Sequence, residues 1–90
     1  METDRNKILV ETIKRLIRRN ALGHLRKIAN KTHAADLSAA FRSLSLPQQR
    51  TIFDLIDDTE DKGLLLSYLE EDIFRNLVTG MDLDLSLIHI

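Results

Sequence analysis

The sequence predicts an all-α domain, an α-solenoid-like array of about six short helices. Between Thr32 and Met81 four short helical units follow one another, over 36–44, 47–56, 62–69 and 72–81. Each closes on an apolar residue: Leu44, Ile56, Leu69 and Met81. The steps between these residues are 12, 13 and 12, a near-fixed period of the kind that stacked repeats show. One proline and three glycines in 90 residues favour helices over a turn-rich β fold. A unit this short is not a stable helix alone, so it must bury its apolar face on its neighbours.

Ahead of the array, the spacing predicts a first helix over 4–19. Leu9, Ile13, Leu16 and Ile17 form one apolar stripe at i, i+4, i+7 and i+8. Thr3 or Asp4 is suited to cap it. Lys14, Arg15, Arg18 and Arg19 lie away from the stripe, and cations in a last turn complement the helix dipole. Asn20 breaks the pattern and is suited to cap a second helix over 21–30, whose apolar face is Leu22, Leu25, Ile28 and Ala29. Gly23 weakens this helix.

Thr32-His33 is the next break, with a capping or packing role expected for His33. Asp36 falls near the start of the third helix, which turns Leu37, Ala40, Phe41 and Leu44 inward. The residue before a proline avoids the α region, so Ser45-Leu46-Pro47 ends that helix, and Pro47 suits the first turn of the fourth. Ile52, Phe53 and Ile56 face inward there. The densest acidic cluster, Asp57-Asp58-Thr59-Glu60-Asp61, occupies a loop and the next first turn, where acids cap well. Leu65, Leu66 and Leu69 carry the fifth helix. Ile73, Phe74 and Leu77 carry the sixth, which Gly80 ends. Residues 1–82 read as one domain, incomplete at its end. Over 83–90 the period turns strand-like, and the tail reads either as native or as translated adapter read-through.

The composition, 43% hydrophobic and 30% charged, is that of an ordinary folded domain. Cysteine is absent, which removes disulfides and thiolate metal sites. No apolar run approaches the roughly 20 residues that span a bilayer, and the charged start lacks a signal-peptide core. The net charge of −1 hides a division: residues 1–31 carry +6 and residues 32–90 carry −7. The basic face of the first helix reads as a solvated surface or as a patch for phosphates or anionic lipid headgroups. Nucleic-acid binding is disfavoured, because the chain is acidic on balance and has no aromatic residue before Phe41.

Catalytic and metal motifs fail in turn. Taken from Asp57, a calcium loop would need glycine at Lys62 and glutamate at Tyr68; the register from Asp58 fails as well. His24, His33 and His89 are scattered, which argues against zinc. No nucleophile elbow, phosphate loop or dinucleotide fingerprint occurs, so an enzyme is not expected. What remains is a weak cation site at Asp57, Asp58 and Asp61, with Asp54 beside them. Magnesium keeps most of its waters and binds through one or two carboxylates, so it needs no dedicated motif. The competing reading is a solvated capping cluster.

Three stretches together resemble the cytosolic N-terminal domain of MgtE-type magnesium transporters. His33-Ala34-Ala35-Asp36-Leu37 is similar to the family's His-Pro-Ala-Asp helix start. Leu44-Ser45-Leu46-Pro47-Gln48-Gln49-Arg50, with Phe53 and Ile56, is similar to its Leu-Pro turn and following helix. The run of short helices with acidic turns is the third. Ala34 stands where the family has proline, and Gln48 and Gln49 stand where it has acids. The resemblance implies a right-handed superhelix and a magnesium-sensing regulatory role at the inner face of the membrane. There the ion would favour docking on neighbouring regulatory and membrane domains of a transporter. The alternative is an ion-independent protein-interaction scaffold, a use that flagellar motor-switch proteins make of similar superhelices. An uncapped apolar edge at the end of such an array predicts association between copies, as a homodimer.

Overall fold

A computed structural model of the chain describes residues 2–79, and the side chains from residue 4 onward. The tail 83–90, Gly80 and Met81 lie outside the described residues. The described chain is all-α, with six helices: α1 (Glu2–Arg18), α2 (Leu22–Lys31), α3 (Ala34–Phe41), α4 (Leu46–Leu55), α5 (Thr59–Tyr68) and α6 (Glu71–Val78). The two most extensive contacts skip one helix. α3 packs on α5, α2 on α4 and α4 on α6, while α1 closes one end against α2 and α3. The chain thus weaves between an odd stack and an even stack. One core runs through both, and Ile13, Leu25, Leu37, Phe41, Ile52, Phe53, Leu65 and Leu77 are its most enclosed large side chains.

The 12, 13, 12 period is present, but it marks helix starts. The N-cap positions of α3, α4, α5 and α6 are His33, Ser45, Asp58 and Glu70, at those same steps, and the first three cap with their side chains. The apolar residues Leu44, Ile56 and Leu69 lie just outside their helices, in the connections, where they still turn inward. The third helix accordingly ends at Phe41 rather than Leu44.

Four local expectations are corrected. α1 begins at Glu2, so Thr3 and Asp4 lie within its first turn instead of capping it. Asn20 does not cap α2; it ends α1. Its φ of 56° is left-handed, its N–H bonds to the Ile17 carbonyl at 3.0 Å, and the Ala21 N–H bonds to the Leu16 carbonyl at 2.9 Å. This is the Schellman arrangement, with asparagine where glycine is more common. Ala21 then precedes α2 without a side-chain cap. Leu22 and Phe74, expected in the core, are exposed, whereas Val10 is buried.

The two glutamines of the Leu-Pro turn have internal duties. Gln48 completes a capping box with Ser45: its side chain accepts from the Ser45 N–H at 2.8 Å, and Ser45 Oγ accepts from the Gln48 N–H. Gln49 is buried, and its Nε2 donates to the carbonyls of Phe41 at 2.9 Å and Leu44 at 3.1 Å. The Phe41 carbonyl ends α3 and also accepts from the Leu44 N–H at 3.1 Å, and the Leu44 carbonyl lies in the turn that follows. An acid at 49 would supply no donor in its ionised form and would face two carbonyl oxygens.

Gln49→Glu is therefore expected to destabilise the fold by about 2–3 kcal/mol, because a buried charge meets carbonyl oxygens and loses two donated hydrogen bonds. Urea unfolding at neutral pH checks this, and an unchanged midpoint would count against the assigned role. Asn20→Gly should raise stability by about 0.5–1 kcal/mol by relieving the left-handed strain, and Asn20→Val should lower it by about 1–2 kcal/mol. Asn20 is exposed, so melting temperatures of the two variants isolate the backbone effect.

Candidate functional site

The acidic turn between α4 and α5 is built onto α2. Asn30, on the last turn of α2, works as a double-ended bridge. Its Nδ2 donates to the Leu55 carbonyl at 2.9 Å and to the Arg26 carbonyl at 2.8 Å; its Oδ1 accepts from the Asp57 N–H at 2.9 Å. One turn earlier on α2, Arg26 grips the Asp57 carboxylate with two donors. Nε reaches Oδ2 at 3.1 Å, and Nη2 bonds to Oδ1. These hydrogen bonds hold the Asp57 carboxyl below the usual carboxylate range; partial desolvation opposes them, and the charges of Arg26 and Lys62 add to them. Lys62 also lies 5.1 Å from the centre of the Phe53 ring, tying α5 to α4.

The four acids read as a cation set are divided among different tasks. Asp57 is the partner of Arg26. Asp58 caps α5, its Oδ1 accepting from the Glu60 N–H at 2.8 Å. Asp61 is exposed in the first turn of α5, and Asp54 is exposed in the last turn of α4. Among the described residues no three His, Cys, Asp or Glu side chains are grouped so as to hold a metal ion. Asp54, Glu60, Asp61 and Asp72 are in no ion pair among the described residues.

His33 both caps and packs. Its Nδ1 accepts from the Ala35 N–H at 3.0 Å, so the neutral ring carries its proton on Nε2. The ring meets Tyr68 edge-on, with centroids 6.2 Å apart. A cleft of about 190 Å³ opens beside it, where Lys31, Thr32 and His33 face Asp61 and Leu64 of α5. A larger groove, about 600 Å³, lies between α1 and α3 and is lined by Arg5, Asn6, Leu9, Thr32, Ala35 and Asp36.

The surface charge is graded along the array. Residues 1–31, which include α1 and α2, carry +6; residues 32–56, with α3 and α4, balance at zero; residues 57–79, with α5 and α6, carry −5, from seven acids and two bases. Five large apolar side chains are exposed among the described residues. Ile8 and Leu22 are on the basic pair of helices; Leu64, Tyr68 and Phe74 are on the acidic pair; none is on the middle pair. No described helix is long and apolar enough to cross a membrane.

Asn30 and the Arg26–Asp57 pair are the site features that reading the chain did not single out. Their partners are 25 to 31 residues apart in sequence, and no local pattern marks them. Comparison with protein-family models, with curated proteins and with solved structures finds no match.

Asn30→Ala is expected to cost about 2 kcal/mol, because it strands a backbone donor and acceptor at once; chemical denaturation measures this directly. Asp57 makes a prediction about acid. Its folded pKa is lowered, so its contribution is present above its unfolded value, about 4, and is lost as pH falls through the folded value. Asp57→Asn should lower stability at neutral pH and leave a shallower fall in stability below about pH 4. Identical acid limbs for the two proteins would refute the assignment.

Proposed function

We propose that this chain is a protein-interaction module, a weave of short helices that docks through the surfaces of its terminal helix pairs. One observation carries the reading. Every large apolar side chain exposed among the described residues lies on α1, α2, α5 or α6, set among charges of one dominant sign at each end. Among the described residues no further helix lies beyond these two pairs, and stacked arrays bind through extended surfaces. Apolar residues ringed by charge are the composition of a docking surface: burial supplies affinity, and charge supplies orientation and rate. In this reading the acidic turn is a shaped surface element pinned by Asn30 and Arg26, and no ion is needed to form it.

The second reading is the magnesium-sensing one. It makes the chain a cytosolic regulatory domain of an MgtE-like transporter, and the exposed carboxylates of Asp54, Glu60 and Asp61 favour it. With Asp57 and Asp58 engaged in the fold, these residues would supply half of an interfacial site, and a neighbouring domain the other half. Magnesium would then favour the docked state by linkage, since only that state brings the carboxylates together.

Thermal melting of the full chain with and without magnesium at millimolar concentration, against potassium at matched ionic strength, tests whether this chain holds a magnesium site of its own. The interaction-module reading expects no magnesium-specific shift. A magnesium-specific rise in melting temperature that disappears in Asp54→Asn/Asp61→Asn would overturn it in favour of a site within this chain, because an ion that binds the native state stabilises it.

A further inference from the structure

The charge gradient and the exposed apolar residues identify a partner for the two ends: each other. We infer that copies of this chain associate head to tail, the basic α1–α2 end of one docking on the acidic α5–α6 end of the next. This rests on the docking reading and names its partner as a second copy of the chain.

Three observations meet here. First, the two ends are opposite in sign and nearly equal in size, +6 over residues 1–31 against −5 over residues 57–79, with a neutral pair of helices between them. Second, the charges that make the gradient are largely available. Arg15, Arg18 and Arg19 are exposed at the end of α1, and Glu60, Asp61 and Asp72 are exposed in the first turns of α5 and α6; none of the six is in an ion pair among the described residues. Third, both ends carry exposed apolar side chains, Ile8 and Leu22 at one and Leu64, Tyr68 and Phe74 at the other. A surface that is charged without apolar content favours water; one that combines both gains from burial when a complementary partner covers it.

The chain already makes this type of contact once within itself. Arg26 of the basic pair of helices holds Asp57 at the edge of the acidic pair. The remaining basic residues repel one another: Lys14 with Arg18 and Arg15 with Arg19 are like charges one turn apart. An acidic partner relieves that repulsion, and the relief exists only in the complex. The contact joins two different surfaces, so it is heterologous. Each added copy presents a fresh end, and growth past a dimer follows unless the rotation closes a ring.

Sedimentation velocity of the full chain tests this. At low salt the weight-average mass should rise with concentration beyond that of a dimer, and it should fall back toward the monomer at about 0.5 M salt, where exposed charges are screened within a few ångströms. Arg15→Glu/Arg18→Glu/Arg19→Glu removes the basic end, and Glu60→Gln/Asp61→Asn/Asp72→Asn removes the acidic end. Each variant alone should be monomeric with an unchanged circular dichroism spectrum. Their equimolar mixture should form a one-to-one complex and grow no further, because only one intact pair of ends remains. A wild-type chain that stays monomeric at low salt up to millimolar concentration would overturn the inference. So would association that salt leaves unchanged, or a mixture in which the variants do not pair. Should either variant lose its fold, the wild-type salt dependence alone decides. A monomeric wild type leaves the docking reading standing with some other partner; a magnesium-specific melting shift removes that reading on separate grounds.

Discussion

Short helices have little interior. In a helix of eight to ten residues most peptide groups lie within one turn of an end, where N–H and carbonyl groups lack intrahelical partners. Satisfying those ends is the constraint on which this structure depends. The N-terminal side is met locally, by His33, by the Ser45–Gln48 box and by Asp58. The C-terminal side is met at long range. Gln49 of α4 closes the end of α3, Asn30 of α2 closes the end of α4, and Arg50 of α4 donates to the Thr79 carbonyl just past α6 at 2.7 Å. These bonds run between helices, so closing one helix also positions another.

This division explains what could be read in the chain. The all-α class and the number of helices follow from local properties: apolar spacing, scarce glycine and proline, and acids at helix starts. The capping set inherits the same period, which is why a regular step was visible even though it marked a different feature. The C-terminal closures depend on residues 5 to 29 positions away, and no periodicity encodes them. Asn20 was ambiguous for a related reason. Asparagine is favoured both as an N-cap and in the left-handed position after a helix, and only the backbone angle separates the two uses. Phe74 and Leu22 sit at helical spacing from core residues but lie on helices where no other described element covers them.

The candidate site was legible as a cluster and illegible as an arrangement. Reading Asp57, Asp58 and Asp61 along the chain shows three acids within five positions. In space each has a different neighbour: a guanidinium, a helix N-terminus and solvent. Acids are favoured at helix starts whether or not they bind anything. In a chain built from short helices, acidic turns therefore accumulate from folding requirements alone.

The charge gradient is harder to assign to folding. Capping accounts for acids at the starts of α5 and α6, and dipole complementarity accounts for Arg15 and Arg18 near the end of α1. Neither accounts for the sum. The first turn of α2 carries no acid, and that of α4 none, although both are helix starts of the same kind. Capping does not require an acid, since the Ser45–Gln48 box serves α4 without one, so capping alone sets no gradient between the pairs of helices. Instead the basic residues are concentrated at one end and the acids at the other, at the cost of like-charge repulsion within each. Surface charge concentrated in this way costs the isolated fold like-charge repulsion. Its energetic advantage appears when an opposite surface arrives, and the two ends of this chain present such surfaces to one another.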